Sequence, residues 1–241
     1  QKWPFIRSKR RVEVHISSIS IGELKRISME KFLQRENAQL SRIFSLKDPE
    51  VEVVYVTPFQ MTTEVLGYYM KILEIGEVNS PQSRLHIVVP NKVAKFPPHF
   101  CLAQVLLYSP KTLQKIKSLI QGKQAYIVPS ITSIDDIKLS IRLAIPILSG
   151  EPSKQHLYST KSGAKKIFQL ADVPTPICQV DIYDEQEFIH SLAQLISKNL
   201  YVSIWIFKID DEFNGRGHAS LNVDSIKAIQ SLKKKQLDPS V

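Results

Sequence analysis

Residues 204–219 read IWIFKIDDEFNGRGHA. The stretch opens as an apolar strand, passes through Lys208 and the acids Asp210 and Asp211, and ends in Asn214-Gly215-Arg216-Gly217. Asn-Gly after a strand pattern is a hairpin signal. The second glycine, one residue on, exceeds what a two-residue turn requires, in a chain that holds only eight glycines. The stretch therefore reads either as a plain turn with a charged neck or as a loop whose backbone N–H groups face a phosphate.

Working outward, YVSIWIFKI (201–209) is predicted as a strand, and DEQEFIHSLAQLISK (184–198) as the helix before it. That helix has acids at its start, Lys198 at its end and Phe188, Leu192 and Leu195 on one face. Further upstream, ICQVDI (177–182) reads as a strand, and residues 161–171 as a helix stopped by Val173-Pro174-Thr175-Pro176. Downstream of Ala219 one basic helix is expected, over residues 223–235. The expected segments are a basic N-terminal arm (1–10), a first domain (11–152), a second (153–222) and a basic C-terminal helix and tail (223–241).

The first 150 residues alternate strand and helix patterns. RVEVHISS (11–18) alternates like a half-buried strand. A long helix is expected over residues 22–46, broken by Pro49, and VEVVYVT (51–57) is a β-branched strand. A helix to about Ile75, strand 84–90, helix 98–120 interrupted at Pro110, strand 124–130, helix 133–145 with Ser133 as N-cap, and a short strand 145–150 complete the series. VEVVYV, HIVV and AYIV are apolar on both faces, as central strands of a parallel sheet are. The expected fold class is α/β, a Rossmann-like parallel sheet followed by a smaller α+β lobe. No G-x-G-x-x-G follows the first strand, so a dinucleotide fingerprint is absent.

Composition sets the outer bounds. The 241 residues are 43% hydrophobic and 23% charged, an ordinary globular balance with enough length for one large domain or two small ones. No apolar run approaches the ~18 residues of a membrane span, and no signal-peptide core is present, so no membrane partner and a cytoplasmic location are expected, with the nucleus left open. Cys101 and Cys178 lack metal-site spacing and read as free thiols in a reducing compartment. The first residue is Gln1 rather than Met, which marks the chain as an expected fragment. Much of the net charge of +9 lies at residues 2–11 and 232–236, which read first as solvated basic arms; RNA or another protein is the alternative partner of such a basic surface.

YSTKSGAKKIFQLADVPTP (158–176), followed by a strand, a helix and WIFKIDDEFNGRGHA, resembles the first half of an ATP-grasp domain. The succession RVEVHI, DPEVEVVYVTPF and AYIVPSITSIDDIKLSIRLAIPILSGEP is similar to the pre-ATP-grasp domain of a carboxylate–amine ligase-like branch. The resemblance covers residues 11–219 and rests on the order and spacing of its motifs together. It implies that Lys161, Lys208 and the loop Asn214, Gly215, Arg216 and Gly217 hold the phosphates of ATP. It assigns no catalytic residue and no metal ligand.

The physics of those positions is independent of the family. ATP brings about four negative charges, which two lysines and a row of backbone N–H groups suit. Each residue also has a bland alternative. Lys208 beside Asp210 and Asp211 reads as a surface ion pair, Lys161 as an exposed first-turn lysine, Asn214-Gly215 as a turn, and His218 as a surface or packing residue.

No acidic pair for Mg²⁺ follows the loop, so Mg²⁺ is expected only with a second lobe, and ATP binding only from one side. The expected role is thus a nucleotide-binding module, incomplete here and not catalytic by itself, a pseudoenzyme in a parent with a regulatory role. The alternative is a non-enzymatic scaffold. The branch includes an IQ-motif protein, so calmodulin is an expected partner through the parent. In this chain Ile229-Gln230-Ser231-Leu232-Lys233-Lys234 fits the first half of an IQ pattern, which then fails at Lys235 and Pro239.

Overall fold

The computed structural model describes residues 3–212 and 215–237. The chain divides into two compact units, Gln1–Pro152 and Ser153–Val241.

In the first unit a short helix α1 (Trp3–Arg7) leads into β1 (Arg11–Ile16), then α2 (Glu23–Ser28), α3 (Phe32–Asn37) and a 3-10 turn, Leu40–Lys47. The chain continues through β2 (Val51–Val56), α4 (Thr63–Ile75), β3 (Leu85–Val88), α5 (Leu102–Leu107), α6 (Pro110–Ile120), β4 (Gln124–Val128) and α7 (Ile134–Leu143). The strands form one parallel sheet in the order β3-β2-β1-β4. One face carries Val12, Val14, Ile16, Val54, Val56 and Ile127 against α5, α6 and α7. The other carries Val51, Val53 and Tyr55 against the 3-10 turn and α4. Apolar faces on both sides of β2 force helices onto both sides of the sheet.

β1 departs from its sequence reading. All six residues are buried, including Arg11, Glu13 and His15, which an alternating strand was expected to turn toward water. Their side chains pair with one another and with Asp48 and Tyr126 instead. The Arg11 guanidinium donates to Asp48 at 2.7 Å and to the Tyr126 hydroxyl at 3.2 Å. Tyr126 in turn donates to Glu13 at 2.6 Å, and His15 Nε2 lies 3.0 Å from the other Glu13 oxygen. Burial pushes Glu13 up, but His15, Tyr126 and Ser45 outweigh it and hold the carboxyl down at about 2. HIVV and AYIV are edge strands rather than central ones, and both are partly exposed.

The helix expected over 22–46 is three short pieces. Met29 is extended and Lys31 is left-handed at φ 53°, so the helical ladder stops between α2 and α3. The Arg26 side chain, buried at that break, donates to the carbonyls of Ile21 and His99. Strand 145–150 reduces to a single bridge, Ile127 to Ile147.

The second unit holds α8 (Pro152–Ser159), α9 (Lys161–Leu170), α10 (Glu185–Lys198), β5 (Ile204–Lys208), β6 (His218–Asn222) and α11 (Lys227–Leu237). Residues 177–182 join no ladder among the described residues, contrary to the strand expected there. β5 and β6 form an antiparallel pair. Trp205, Val223, Ile196, Leu200 and Ile229 make the core beneath it, and Phe188 meets Phe207 edge-on at 5.1 Å. Gly163 permits α8 and α9 to meet closely, since a Cβ there would sit 2.1 Å from the Leu157 carbonyl oxygen.

Candidate functional site

The pairing register of β5 and β6 decides which side chains share a face. Ile204 opposes Asn222, Ile206 opposes Ser220, and Lys208 opposes His218. Successive strand residues point to opposite faces. Trp205 and Phe207 go down into the core, so Ile204, Ile206 and Lys208 stand on the open face. Ile204 and Ile206 are 57% and 61% exposed, an apolar shelf leading to a lysine at the loop. Among the described residues Lys208 makes no hydrogen bond or ion pair, so the ion pair with Asp210 or Asp211 is not formed by it.

The connection between the strands runs from residue 209 to residue 217, longer than a two-residue Asn-Gly turn. Ile209 N–H donates to the Gly217 carbonyl at 2.9 Å and extends the ladder by one step. Both glycines adopt positive φ, 76° at Gly215 and 65° at Gly217. They differ in what surrounds them. A Cβ at Gly217 would lie 2.7 Å from Ile209, whereas nothing lies within 4 Å of one at Gly215. Gly217 thus serves the packing of the neck, and Gly215 leaves open space beside its backbone. Arg216 lies 3.6 Å from the Glu212 carboxylate, at its side chain 60% exposed. Asn214 lies outside the described residues.

Lys161 is brought to the same hairpin, but its ammonium faces backbone. Its Nζ donates to the Ile209 carbonyl at 2.6 Å, to that of Asp210 at 3.4 Å, and to that of Glu212. The first turn of α9 is fixed from the other side by Asp210, whose carboxylate accepts from Ser162 N–H at 2.7 Å and from its hydroxyl at 2.9 Å. Burial pushes the Asp210 carboxyl up, and the Ser162 and Thr160 donors with the Lys161 charge overcome it, leaving it below its ordinary value. Sequence reasoning did not find this role for Asp210. Its partner lies 48 residues upstream, and no periodic signal links them.

The first unit contains a comparable arrangement at the carboxyl ends of β1 and β4, where the strand order reverses, the usual ligand position of open α/β sheets. There Glu36 is fully buried, and one oxygen accepts from Ile19 N–H at 2.8 Å and from Leu102 N–H at 3.0 Å. Asp136 caps α7 through Ser133 N–H at 2.8 Å and accepts from Ser20 at 3.1 Å. Burial raises Glu36 to about 7 and raises Asp136 as well. Phe32 and Glu36, four residues apart, share the buried face of α3, and that spacing is the one sequence hint of the acid's burial.

Two other features bear on function. The first residue of the half IQ pattern, Ile229, is 7% exposed in the core of the second unit, so it acts as a packing residue. A shallow concavity of about 460 Å³ lies at the C-terminal ends of α6 and α7, lined by Lys117, Lys123 and Ile145 among others. Lys123 there is paired with Glu52 at 2.8 Å, and the concavity is formed by the first unit alone. Among the described residues no group of three or more His, Cys, Asp or Glu is placed to hold a metal ion, and no helix is long and apolar enough to cross a membrane.

Residues 152–239 match the family model described as IQCH-like, ATP-grasp. With the four-stranded parallel sheet before it, the chain is an α/β protein whose second unit is similar to an ATP-grasp domain. Over 237 residues, 94% of its length, the chain is 38% identical to IQ motif-containing protein H of Danio rerio. It covers 22% of that relative, so it spans about a fifth of the length of the curated protein it matches. The similarity therefore runs through both units, as the order of motifs in the sequence implied.

Proposed function

We propose that the second unit is a nucleotide-binding module that holds the phosphates of ATP from one side. The observation that carries this reading is Lys208, exposed on the open face of β5 beside the positive-φ glycines, with no partner among the described residues. A phosphate group against a lysine gains charge-assisted hydrogen bonds, and the space beside Gly215 leaves room for it to approach. The exposed shelf of Ile204 and Ile206 suits the apolar faces of a base or ribose. When bound, ATP supplies the phosphate chain and its charge; no residue of this chain is assigned to Mg²⁺. The unit acts as a binding element, with any ligation chemistry left to further protein.

The test is titration calorimetry of the chain with ATP and Mg²⁺, beside Lys208→Ala. Loss of one charge-assisted contact is expected to weaken binding about tenfold or more. Equal affinity in both proteins, or no binding by either, refutes the reading.

A second reading is a non-enzymatic scaffold that binds protein or RNA through basic surface. The observation behind it is α11, where Lys227, Lys234 and Lys235 are exposed. Calmodulin enters here only through the name of the relative, an IQ motif-containing protein, and Ile229 in this chain is committed to the core. Binding of this kind falls steeply with added salt and survives Lys208→Ala.

A further inference from the structure

An ammonium group has three N–H donors, and the three carbonyls of Ile209, Asp210 and Glu212 meet the Lys161 ammonium. Two of these contacts are short and the one to the Asp210 carbonyl is long at 3.4 Å, so the donors are turned toward backbone carbonyls rather than toward an anion. The same turn of α9 is tied to the hairpin at three further points: Lys161 N–H on the Asp210 carbonyl at 3.2 Å, and the two Ser162 donors on the Asp210 carboxylate. Thr160 closes the turn by accepting from Gly163 N–H at 3.1 Å. The residue that the motif order assigns to phosphate is thus engaged entirely by its own chain. The carboxylate at the turn also adds negative charge at the neck of the loop, and Asp211 and Glu212 follow it in sequence.

We propose that Lys161 and Asp210 form an autoinhibitory latch, which ties the neck of the glycine hairpin to the first turn of α9 and keeps the Lys161 ammonium from any anion at the loop. With the latch closed, Lys208 is the one lysine of the pair that can meet a phosphate. Opening it frees three N–H donors of Lys161 and moves a carboxylate off the turn. The nucleotide half of this inference rests on the proposed binding function; the latch itself does not. Lys161 and Asp210 are positioning residues here.

The experiment is amine labelling of the whole chain with an N-hydroxysuccinimidyl acetate, read residue by residue by mass spectrometry. In the unaltered protein Lys161 is expected to label about tenfold more slowly than Lys208, because labelling requires local opening. Asp210→Ala is expected to bring the Lys161 rate close to that of Lys208. D210N, which keeps one acceptor for Ser162 N–H, falls between. Hydrogen exchange of peptides from α10 stays slow and shows that the unit is folded. Equal labelling of the two lysines before mutation, or a Lys161 rate that Asp210→Ala leaves alone, overturns the latch.

Calorimetry on the same proteins decides the inhibitory part. Asp210→Ala is expected to tighten ATP about three- to fivefold, the size of one exposed charge interaction. Tighter binding supports inhibition, and unchanged or weaker binding overturns it. Absence of ATP binding in both proteins overturns the nucleotide reading, while the labelling rates still decide the latch.

Discussion

Each unit answers the same local problem, the unpaired N–H groups at the start of a helix, with a carboxylate from another element. In the first unit Glu36 on α3 accepts from Leu102 at the start of α5 and from Ile19 after β1. In the second Asp210 beyond β5 accepts from Ser162 at the start of α9. The environments are opposite. Glu36 is fully buried and raised to about 7, whereas Asp210 is exposed and lowered. A buried carboxylate of this kind is part of the fold, because nothing can replace it without opening the core. An exposed one exchanges with water at small cost and can act as a latch. The difference separates scaffold from device in two motifs with the same hydrogen-bond pattern.

The largest expected effect tests the buried case. Glu36→Leu removes the acceptor for two buried donors and leaves them unpaired, at about 1–3 kcal/mol each. The first unit is expected to lose roughly 2–5 kcal/mol, read as faster hydrogen exchange throughout β1 and β2. Exchange like that of the unaltered protein would place Glu36 with Asp210 and dissolve the contrast.

A smaller effect separates the charge of Glu36 from its hydrogen bonds. A carboxyl raised from 4.5 to about 7 binds more protons folded than unfolded between those values, so stability falls as pH rises through that window. Glu36→Gln keeps an acceptor and cannot ionise, and is expected to abolish that fall, worth at most about 3 kcal/mol. Glu13 has the opposite sign. Held down at about 2, it contributes stability fully present above its ordinary value and lost as pH drops through about 2. These two groups together place the best pH for the first unit near the lower edge of the Glu36 window. Urea midpoints across pH 3–8 for the two proteins check this, and parallel profiles would refute it.

How far the sequence revealed these features depended on their range. The α/β alternation was legible because β2 carries four valines and is buried on both faces. β1 was misread because its period-2 pattern is the same for a solvated face and for the buried Arg11–Tyr126–Glu13–His15 chain, which requires a partner 113 residues away to exist. The break at Met29 and Lys31 carries no Gly or Pro to announce it. Residues 177–182 have strand composition without a ladder, since propensity says nothing of a neighbour. At the site, Lys208 and the glycines stand out locally as a strand end and a turn. The engagement of Lys161 is a tertiary contact, invisible in any window around it, and Ile229 looks like half a recognition motif until its burial is known.

The smallest expected effect tests the exposed case and works through its pH dependence. Asp210→Ala removes a cap on α9 and a surface charge interaction, together about 1 kcal/mol or less. In a unit of this size that lowers the melting midpoint by roughly 4–8 °C at most. Because the folded carboxyl lies below its ordinary value, the contribution is present above the unfolded pKa and lost as pH falls through the folded one. The difference between the two proteins should therefore be seen at pH 7 and fade in strong acid. Glu36→Leu should behave otherwise, since the donors it strands need an acceptor whether or not the acid is ionised. A difference at Asp210 that persists undiminished in acid would mean that geometry rather than charge holds the hairpin to α9, and that the latch has the character of the buried motif.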